Sequence, residues 1–246
     1  MKWIDAHCHV GQGIMNGMDP ERLLDTMDRL EIAQAVIVPW DRAIAVDNRE
    51  GNQYTLELTK RFPDRFVSFC TVNPWYGDRA LEELDRCAGS GAKGLKLHPP
   101  YQGFQLSDEF ILPVIERALD HRLPIYAPTG TPVTAMPMQM AYLADKYPEG
   151  VFIQGHFGFP DFWIDAIPSV EHRPNIYVDI AYNSISTIEG AVHKLGAERI
   201  VFSSDAPYLS LENELDRLLS CSLTEEQLHQ IGRDNMKRIL EGAGAR

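Results

Sequence analysis

The sequence predicts an α/β fold, a single (β/α)₈ TIM-type barrel with an extra C-terminal helix. Eight short β-branched runs alternate with longer segments of helical apolar spacing, and 246 residues is the length of one such barrel. The polar side chains that could bind a metal or transfer protons follow these runs, where the strands of a barrel present its active site. An open doubly wound sheet shares the alternation, so the position of these side chains decides between the two folds.

The predicted strands are short apolar runs that suit strands buried on both faces of a sheet. No repeat, low-complexity tract or linker interrupts their rhythm, so we assign residues 1–246 to one domain. The eight runs begin at Trp3, Ala35, Phe66, Gly94, Pro124, Val151, Ile176 and Ile200.

The predicted helices have recognisable starts. Asp19 supplies an N-cap acceptor directly before Pro20, which suits the first position of a helix. Thr224 and Gln227 have the spacing of a capping box at the start of the last helix. We expect this last helix to cover the outside of the barrel.

Composition excludes several classes of function. A formal net charge of -12 argues against binding to nucleic acid, which needs clustered Lys and Arg. The four cysteines form no CxxC pair, which suits a reducing compartment. No apolar run approaches the ~18 residues of a membrane span, and the first residues do not resemble a signal peptide. We therefore expect a cytoplasmic protein that acts on a small molecule without nucleic acid or membrane, and a homo-oligomer is left open.

Two histidines lie two positions apart at the end of the first predicted strand. Alternate side chains of a strand point to the same side, so His7 and His9 face one point. Imidazole is a common ligand for zinc and related metals. Two polar histidines of the core or rim are the structural alternative, but such a pair is costly to desolvate unless it binds something. We therefore predict that both are metal ligands.

Polar side chains also follow the sixth and eighth predicted strands. His156 lies between Gly155 and Gly158, although a lone histidine is more often structural. Asp205 stands where the eighth apolar run stops, and a turn residue ahead of Pro207 is its alternative role. The convergence of strands one, six and eight on one face of a barrel favours catalysis. We predict that both side chains bind metal and transfer protons.

The fourth strand and two aromatic side chains complete the candidate site. Lys96 and His98 point to one side of their strand because they are two residues apart. We expect Lys96 to contact an anionic substrate or a buried carboxylate, and His98 to be a metal ligand, a donor to a ligand or a rim histidine. Trp40 and Tyr101 follow predicted strands and are candidates for substrate contact, although aromatic side chains also pack barrels routinely.

Taken together, these motifs resemble the amidohydrolase superfamily, specifically its amidohydrolase-2 branch, which includes aminocarboxymuconate semialdehyde decarboxylase and related decarboxylases and lactonases. The resemblance runs nearly end to end. The motifs that carry it are His7-x-His9, Gly94-x-Lys96-Leu97-His98-Pro99, Gly155-His156-x-Gly158, Ser204-Asp205-x-Pro207 and Asn235 in the closing helix.

The resemblance implies a role for each matching residue. His7, His9 and Asp205 fall on metal-ligand positions, and His156 on the histidine that polarises or deprotonates the reacting water. The branch also carries a histidine at the end of strand five, where this chain has Pro128. Proline offers no ligand atom, so His156 or His98 would have to complete the metal site.

Three hypotheses for function follow, in order of preference. The first is a metal-dependent hydrolase of an amide, ester or lactone, in which one divalent metal activates a water molecule and Asp205 or His156 moves the proton. We expect zinc, with manganese or iron as alternatives. The second is a non-oxidative decarboxylase of a small organic acid, or a lactonase without metal. The third is a barrel that binds a ligand without turnover.

Overall fold

The central feature of the computed structural model, which describes residues 2–14 and 16–242, is a curled sheet of nine strands. Eight strands run parallel in the order β1-β3-β4-β5-β6-β7-β8-β9, and the two-residue β2 pairs antiparallel with the end of β1. The strands are β1 (Trp3–Gln12), β2 (Gly17–Met18), β3 (Ile32–Pro39), β4 (Phe66–Thr71), β5 (Gly94–Lys96), β6 (Ile125–Pro128), β7 (Phe152–Gly155), β8 (Ile176–Asp179) and β9 (Ile200–Val201).

Each of the eight predicted strands is present, which confirms the predicted TIM barrel. Two differences stand out. The strand β2 was not predicted, because two residues are too few to show a pattern. The strand β1 continues to Gln12, so His7 and His9 lie within it rather than after it. A register shift between Asp5 and Cys8 interrupts the pairing of β1 with β3, and His7 lies within this irregularity.

Hydrogen bonds between the first strand and the segment after β9 close the sheet into a barrel. Ala6 N–H donates to the Phe202 carbonyl at 2.9 Å, and Asp205 N–H donates to the His7 carbonyl at 2.9 Å. His9 N–H donates to the Ala206 carbonyl at 2.6 Å. This closure sets the residues of the first strand directly beside those that follow the last strand.

Helices connect the strands and cover the outside of the barrel. None of them, among the residues described, has the length and apolar character needed to cross a membrane. The α-helices are α1 (Pro20–Arg29), α2 (Asp41–Ala45), α3 (Asn48–Arg61), α4 (Asp78–Gly89), α5 (Pro99–Gln102), α6 (Leu112–Asp120), α7 (Pro137–Lys146), α8 (Trp163–Val170), α9 (Ile185–Leu195), α10 (Leu211–Leu219), α11 (Glu225–His229) and α12 (Asn235–Gly242).

The predicted helix starts are confirmed by their caps. The Asp19 carboxylate accepts the backbone N–H groups of Glu21 and Arg22, and Thr224 and Gln227 form the predicted capping box. The predicted last helix is interrupted, because a π-helical turn over Gln230–Asp234 separates α11 from α12.

The barrel interior forms its own apolar core, distinct from the layer between strands and helices. Ile4 and Val201 belong to this interior cluster, and Met236 and Ile239 of α12 pack with them. The last helix, which we expected to cover the outside of the barrel, therefore also contributes these two side chains to the interior core. Its side chains face this way because two large apolar residues three positions apart share one helix face.

Candidate active site

Side chains from β1, from the turn after β7 and from the segment after β9 converge at the C-terminal end of the barrel. His7 Nδ1 lies 3.1 Å from Asp205 Oδ1, and His9 Nε2 lies 3.4 Å from the same oxygen. His156 Nε2 lies 3.7 Å from Asp205 Oδ2. The structure thus brings together the four residues that the sequence singled out, with Asp205 at their centre.

Two buried nitrogens at this point have no hydrogen-bond partner within residues 2–14 and 16–242. They are His7 Nδ1 and His156 Nε2, and both face Asp205. Ligand atoms of His7, His156 and Asp205 all lie within 4.8 Å of one another. Buried polar atoms without partners are uncommon and costly, so two of them facing one carboxylate indicate a site for a missing partner. Imidazole nitrogens with one carboxylate oxygen suit a divalent transition metal.

A backbone hydrogen bond sets the tautomer of His9. Its Nδ1 lies 2.9 Å from the Pro39 carbonyl, which can only accept, so Nδ1 carries the proton. The lone pair of Nε2 then faces Asp205. The edge of the Tyr208 ring packs against the imidazole, with ring centroids 5.1 Å apart. This is the arrangement of a metal-ligating histidine whose second nitrogen is held by a carbonyl.

The protonation states of the site also suit metal binding. Burial opposes ionisation of Asp205, but the neighbouring His156, His7 and His9 hold the pKa of its carboxyl well below the usual range. Burial, and next the positive charge of Lys96, holds the pKa of His7 well below its ordinary value. Asp205 is therefore ionised and His7 neutral at pH 7, as metal ligands must be.

The backbone around the site adopts conformations that L-residues seldom take. His156, Phe157, Tyr182 and Asp205 have φ values of 63°, 47°, 70° and 50°. A left-handed conformation in a residue with a side chain costs about 1–3 kcal/mol and persists only where the surroundings impose it. Such residues cluster at functional sites. Here they turn the chain sharply after β7, β8 and β9 and aim the side chains inward.

Asp179, at the end of β8, holds the strained turn that carries His156. Its Oδ1 accepts the backbone N–H groups of His156 and Ala181, both at 3.0 Å, and its Oδ2 accepts the Tyr126 hydroxyl. Asn183 Nδ2 donates to the His156 carbonyl at 2.9 Å. Sequence reasoning missed Asp179, although a carboxylate at the end of an apolar run is the same signal that identified Asp205.

Asp5 holds the backbone on either side of the contact between His7 and Asp205. Its Oδ1 accepts the backbone N–H groups of His7 at 3.1 Å and Ser204 at 2.9 Å, and its Oδ2 accepts the Ser204 hydroxyl at 2.5 Å. Burial raises the pKa of Asp5 to about 7, against the lowering effect of the bonds from Ser204 and His7. Asp5 thus ties the histidine strand to the segment that presents Asp205. This residue was also missed.

Lys96 lies in the barrel interior beside His7. It has no exposed surface, its Nζ lies 3.0 Å from His7 Nε2, and its ammonium sits 4.0 Å from the centroid of the Tyr126 ring. Burial lowers the pKa of Lys96 to about 7. The structure therefore places Lys96 against a predicted metal ligand rather than at the open mouth of the barrel.

The remaining predicted site residues lie outside the ligand cluster. His98 stacks on Tyr101 with ring centroids 3.8 Å apart, and its Nδ1 accepts the Tyr101 backbone N–H at 3.3 Å. The metal-competent group found among the described residues consists of His7, His156 and Asp205, so it contains neither His98 nor His9. His9 nevertheless has a ring nitrogen 3.4 Å from Asp205 Oδ1. Trp40 packs edge-on against Tyr54 and lines a cavity with Gln12.

The position where the resemblance expects a histidine is occupied by Pro128, the last residue of β6. Two residues earlier, Tyr126 also points into the barrel, and its ring stacks on His7 with centroids 4.4 Å apart. A Cβ on Gly155 would lie 2.4 Å from the Tyr126 hydroxyl, so this glycine makes room for the phenol. The strand β6 thus supports His7 and Asp179 through Tyr126 instead of supplying a metal ligand.

Comparison with known proteins identifies the family. The sequence profile described as amidohydrolase, of the amidohydrolase-2 branch, matches residues 4–241. The chain belongs to this amidohydrolase family. It is therefore an enzyme of the amidohydrolase superfamily, as the motifs of the sequence indicated.

The relatives and solved structures similar to this amidohydrolase include decarboxylases. A gamma-resorcylate decarboxylase of Rhizobium sp. is 25% identical over an alignment 276 positions long, which covers 90% of this chain and 84% of the relative. A crystal structure of 2,6-dihydroxybenzoate decarboxylase from Rhizobium has a TM-score of 0.79 at 19% identity and covers 98% of both chains. A Polaromonas dihydroxybenzoic acid decarboxylase with bound manganese and 2-nitroresorcinol has a TM-score of 0.78 at 19% identity, covering 98% of this chain and 97% of that one.

These comparisons correct the predicted reaction. The curated relatives matched along most of this amidohydrolase are named for decarboxylation. The hydrolase that the sequence analysis preferred is therefore wrong, and the decarboxylase that it gave as the alternative is better supported. The motifs could not distinguish the two reactions, because both use the same ligand positions in the same barrel.

Proposed function

We propose that this enzyme is a metal-dependent, non-oxidative decarboxylase of a small aromatic acid. The observation that carries the proposal is the convergence of His7, His9, His156 and Asp205, with two partnerless nitrogens facing the carboxylate. The likeness to decarboxylases over most of the chain supports the reaction. The cytoplasmic location and a homo-oligomeric state remain predictions.

One divalent cation would be held by the three imidazoles and the Asp205 carboxylate. Such a donor set suits zinc and manganese, and manganese is the ion bound in the similar Polaromonas structure. When bound, the cation supplies positive charge that attracts the oxygens of an acidic substrate and polarises them. The ionised carboxyl of Asp205 and the low pKa of His7 favour this binding. His9 turns its Nε2 toward the same point because its Nδ1 is held by the Pro39 carbonyl.

The chemistry requires a proton donor close to the substrate. In a non-oxidative decarboxylation, the ring carbon that bears the carboxylate gains a proton, and the C–C bond then breaks to release CO₂ and restore the aromatic ring. We assign the delivery of this proton to His156, whose Nε2 lies 3.7 Å from Asp205 Oδ2. Because Asp205 is ionised and burial lowers the pKa of His156, the proton is first taken up from solvent or from the acidic substrate, and the Asp205 carboxylate stabilises the protonated imidazole until the ring carbon receives the proton.

Aromatic side chains at the mouth of the site suit a flat substrate. Tyr101 stacks on His98, and Phe159 stacks on Tyr182 with centroids 5.4 Å apart. Exposed ring faces next to a charged centre favour a planar molecule that carries an acidic group. Lys96 is buried beside His7, so we propose that it orients this histidine and does not contact the substrate directly.

The proposal is tested with protein purified without chelator and loaded with Mn²⁺. We expect ¹³CO₂ or bicarbonate, and the matching phenol, from carboxyl-labelled 2,6-dihydroxybenzoate or another hydroxybenzoate in a panel. The His7→Ala variant should bind less metal and release no label. Tyr147→Phe is the matched control, because it removes a phenol that donates to Glu116 outside the site. Bound metal with no CO₂ from any acid would refute decarboxylation and favour a barrel that binds without turnover.

A further inference from the structure

The hydroxyl of Tyr182 contacts one of the two oxygens of the central carboxylate. It donates to Asp205 Oδ2 at 2.7 Å, within the normal range for such a bond. The other oxygen, Oδ1, is the one that faces His7 at 3.1 Å and His9 at 3.4 Å. The two oxygens of Asp205 therefore have different neighbours: a phenol and His156 on one side, and the histidines of β1 on the other.

We propose that Tyr182 is a positioning residue that holds Asp205 Oδ2, so that Asp205 binds the metal through Oδ1 alone. This inference rests on the proposed metal-dependent function. A free carboxylate can offer a metal one oxygen or two, and it can rotate between these modes. An oxygen that accepts a short bond from a phenol is less available, and the rotation is blocked. Tyr182 thereby determines that the Asp205 carboxylate binds through one oxygen, although Tyr182 does not bind the metal itself.

The surroundings hold Tyr182 in the conformation that this role needs. Its φ of 70° is left-handed, which a tyrosine adopts only under constraint. Its backbone N–H donates to Glu214 Oε2 at 3.3 Å, and its ring stacks on Phe159. Glu214 is buried and held in turn by Arg217, with both carboxylate oxygens 2.7 Å from the guanidinium. A tyrosine that merely filled space would need no such arrangement.

The role accounts for a departure of this chain from its family resemblance. Pro128 supplies no ligand at the end of β6, so the metal site depends more heavily on the geometry of the remaining groups. Fixing the carboxylate adds order to the site without adding a ligand atom. Tyr182 lies three residues after the end of β8, which pairs with the strand β7 that leads to His156.

The test compares Tyr182→Phe with the wild type and with Tyr147→Phe. Both variants lose a phenol hydroxyl that donates to a carboxylate, but the Tyr147 bond to Glu116, at 2.8 Å, lies outside the site. Mn²⁺ affinity is measured on metal-free protein by competition with a fluorescent chelator. We expect Tyr182→Phe to bind Mn²⁺ about 10–100-fold more weakly and Tyr147→Phe to bind it as the wild type does.

A second readout distinguishes positioning from a general structural effect. The visible absorption of Co²⁺-loaded protein reports the number and arrangement of ligands, and we expect it to change in Tyr182→Phe and not in Tyr147→Phe. In metal-free protein, the destabilisation by Tyr182→Phe in urea should vanish in an Asp205→Ala background, where the acceptor is gone. This cycle keeps the inference testable even if one variant folds poorly with metal.

The outcomes separate this inference from the proposed function. If the wild type binds no divalent metal, both fail. If the wild type binds Mn²⁺ and Tyr182→Phe binds it within twofold, with an unchanged Co²⁺ spectrum, only the role of Tyr182 is refuted. A loss of affinity that is equal in Tyr147→Phe would also refute it, because the effect would then not come from the site.

Discussion

Replacement of Asp179 should reveal how much free energy holds the strained turn of His156 in place. The Asp179 carboxylate is fully buried and accepts three donors: the His156 and Ala181 backbone N–H groups and the Tyr126 hydroxyl. Asp179→Ala leaves all three buried without a partner, at about 1–3 kcal/mol each. Some of this cost is recovered if water enters the space. We therefore expect the free energy of unfolding to fall by about 3 kcal/mol, the low end of the sum over the three groups.

Asp179→Asn is the matched variant, because it keeps the shape of the side chain. Its carbonyl oxygen can still accept both backbone N–H groups, and its amide can donate to the oxygen of Tyr126. The extra strength of bonds to a charged acceptor is lost, and the Tyr126 hydroxyl proton loses its acceptor. We place the total at about 1–2 kcal/mol, below the cost of Asp179→Ala.

Urea unfolding of metal-free protein measures both variants, with Asp145→Ala as a control. Asp145 forms an exposed ion pair with Arg173, which is worth about 0–1 kcal/mol. Our account of Asp179 is refuted if Asp179→Ala is within about 1 kcal/mol of the wild type, or if Asp179→Asn is equally destabilised.

Three further predictions follow from the contacts of other side chains. His156→Ala should weaken Mn²⁺ binding far more than His98→Ala in a chelator competition, because only His156 faces Asp205; equal losses would place His98 among the ligands. Removal of bound metal by chelator should lower the free energy of unfolding measured by calorimetry. The loss should be about 2.7 kcal/mol where free metal was at 100 times its Kd. An unchanged free energy of unfolding would mean that the folded chain does not hold metal. Burial opposes ionisation of Glu83, but hydrogen bonds from Arg86, Asn52 and Cys87 outweigh it and lower its pKa below the ordinary 4.5. The stabilisation is therefore present above that pH and lost as the pH falls, so Glu83→Gln should be less stable than the wild type at pH 7 in urea titrations. The difference should shrink as the pH falls below 4.5, and a difference that does not change with pH would contradict this account.

The sequence predicted the barrel and the central cluster because both depend on local patterns. Each parallel strand showed an apolar run, and His7, His9, His156 and Asp205 lie where such runs end or, for β1, continue. Parallel strands bring these positions to one end of the sheet, so spacing along the chain was enough to predict their meeting.

The missed features depend on tertiary contacts that no local pattern encodes. Asp5 and Asp179 bind backbone groups of residues far along the chain or just beyond a turn, and the same residue types serve equally as caps or turn residues. The contact of Tyr182 with Asp205 depends on a left-handed backbone conformation at Tyr182, which no sequence pattern predicts for a tyrosine. The reaction itself was mispredicted, because a ligand set does not specify which bond is broken.

The hydrogen bonds that join the two ends of the sheet have a consequence for folding. These bonds form a seam between β1 and the segment after β9. The Asp5 carboxylate accepts the Ser204 backbone N–H across 199 positions of sequence, and the Asp205 backbone N–H donates to the His7 carbonyl. Contacts of such separation form late and slowly, because a long loop must close first. The residues that we propose as metal ligands lie on both sides of the seam and meet only in the closing step. A partly folded chain with an open ring would therefore hold neither cation nor substrate, and opening the seam would release both before the rest of the barrel unfolds.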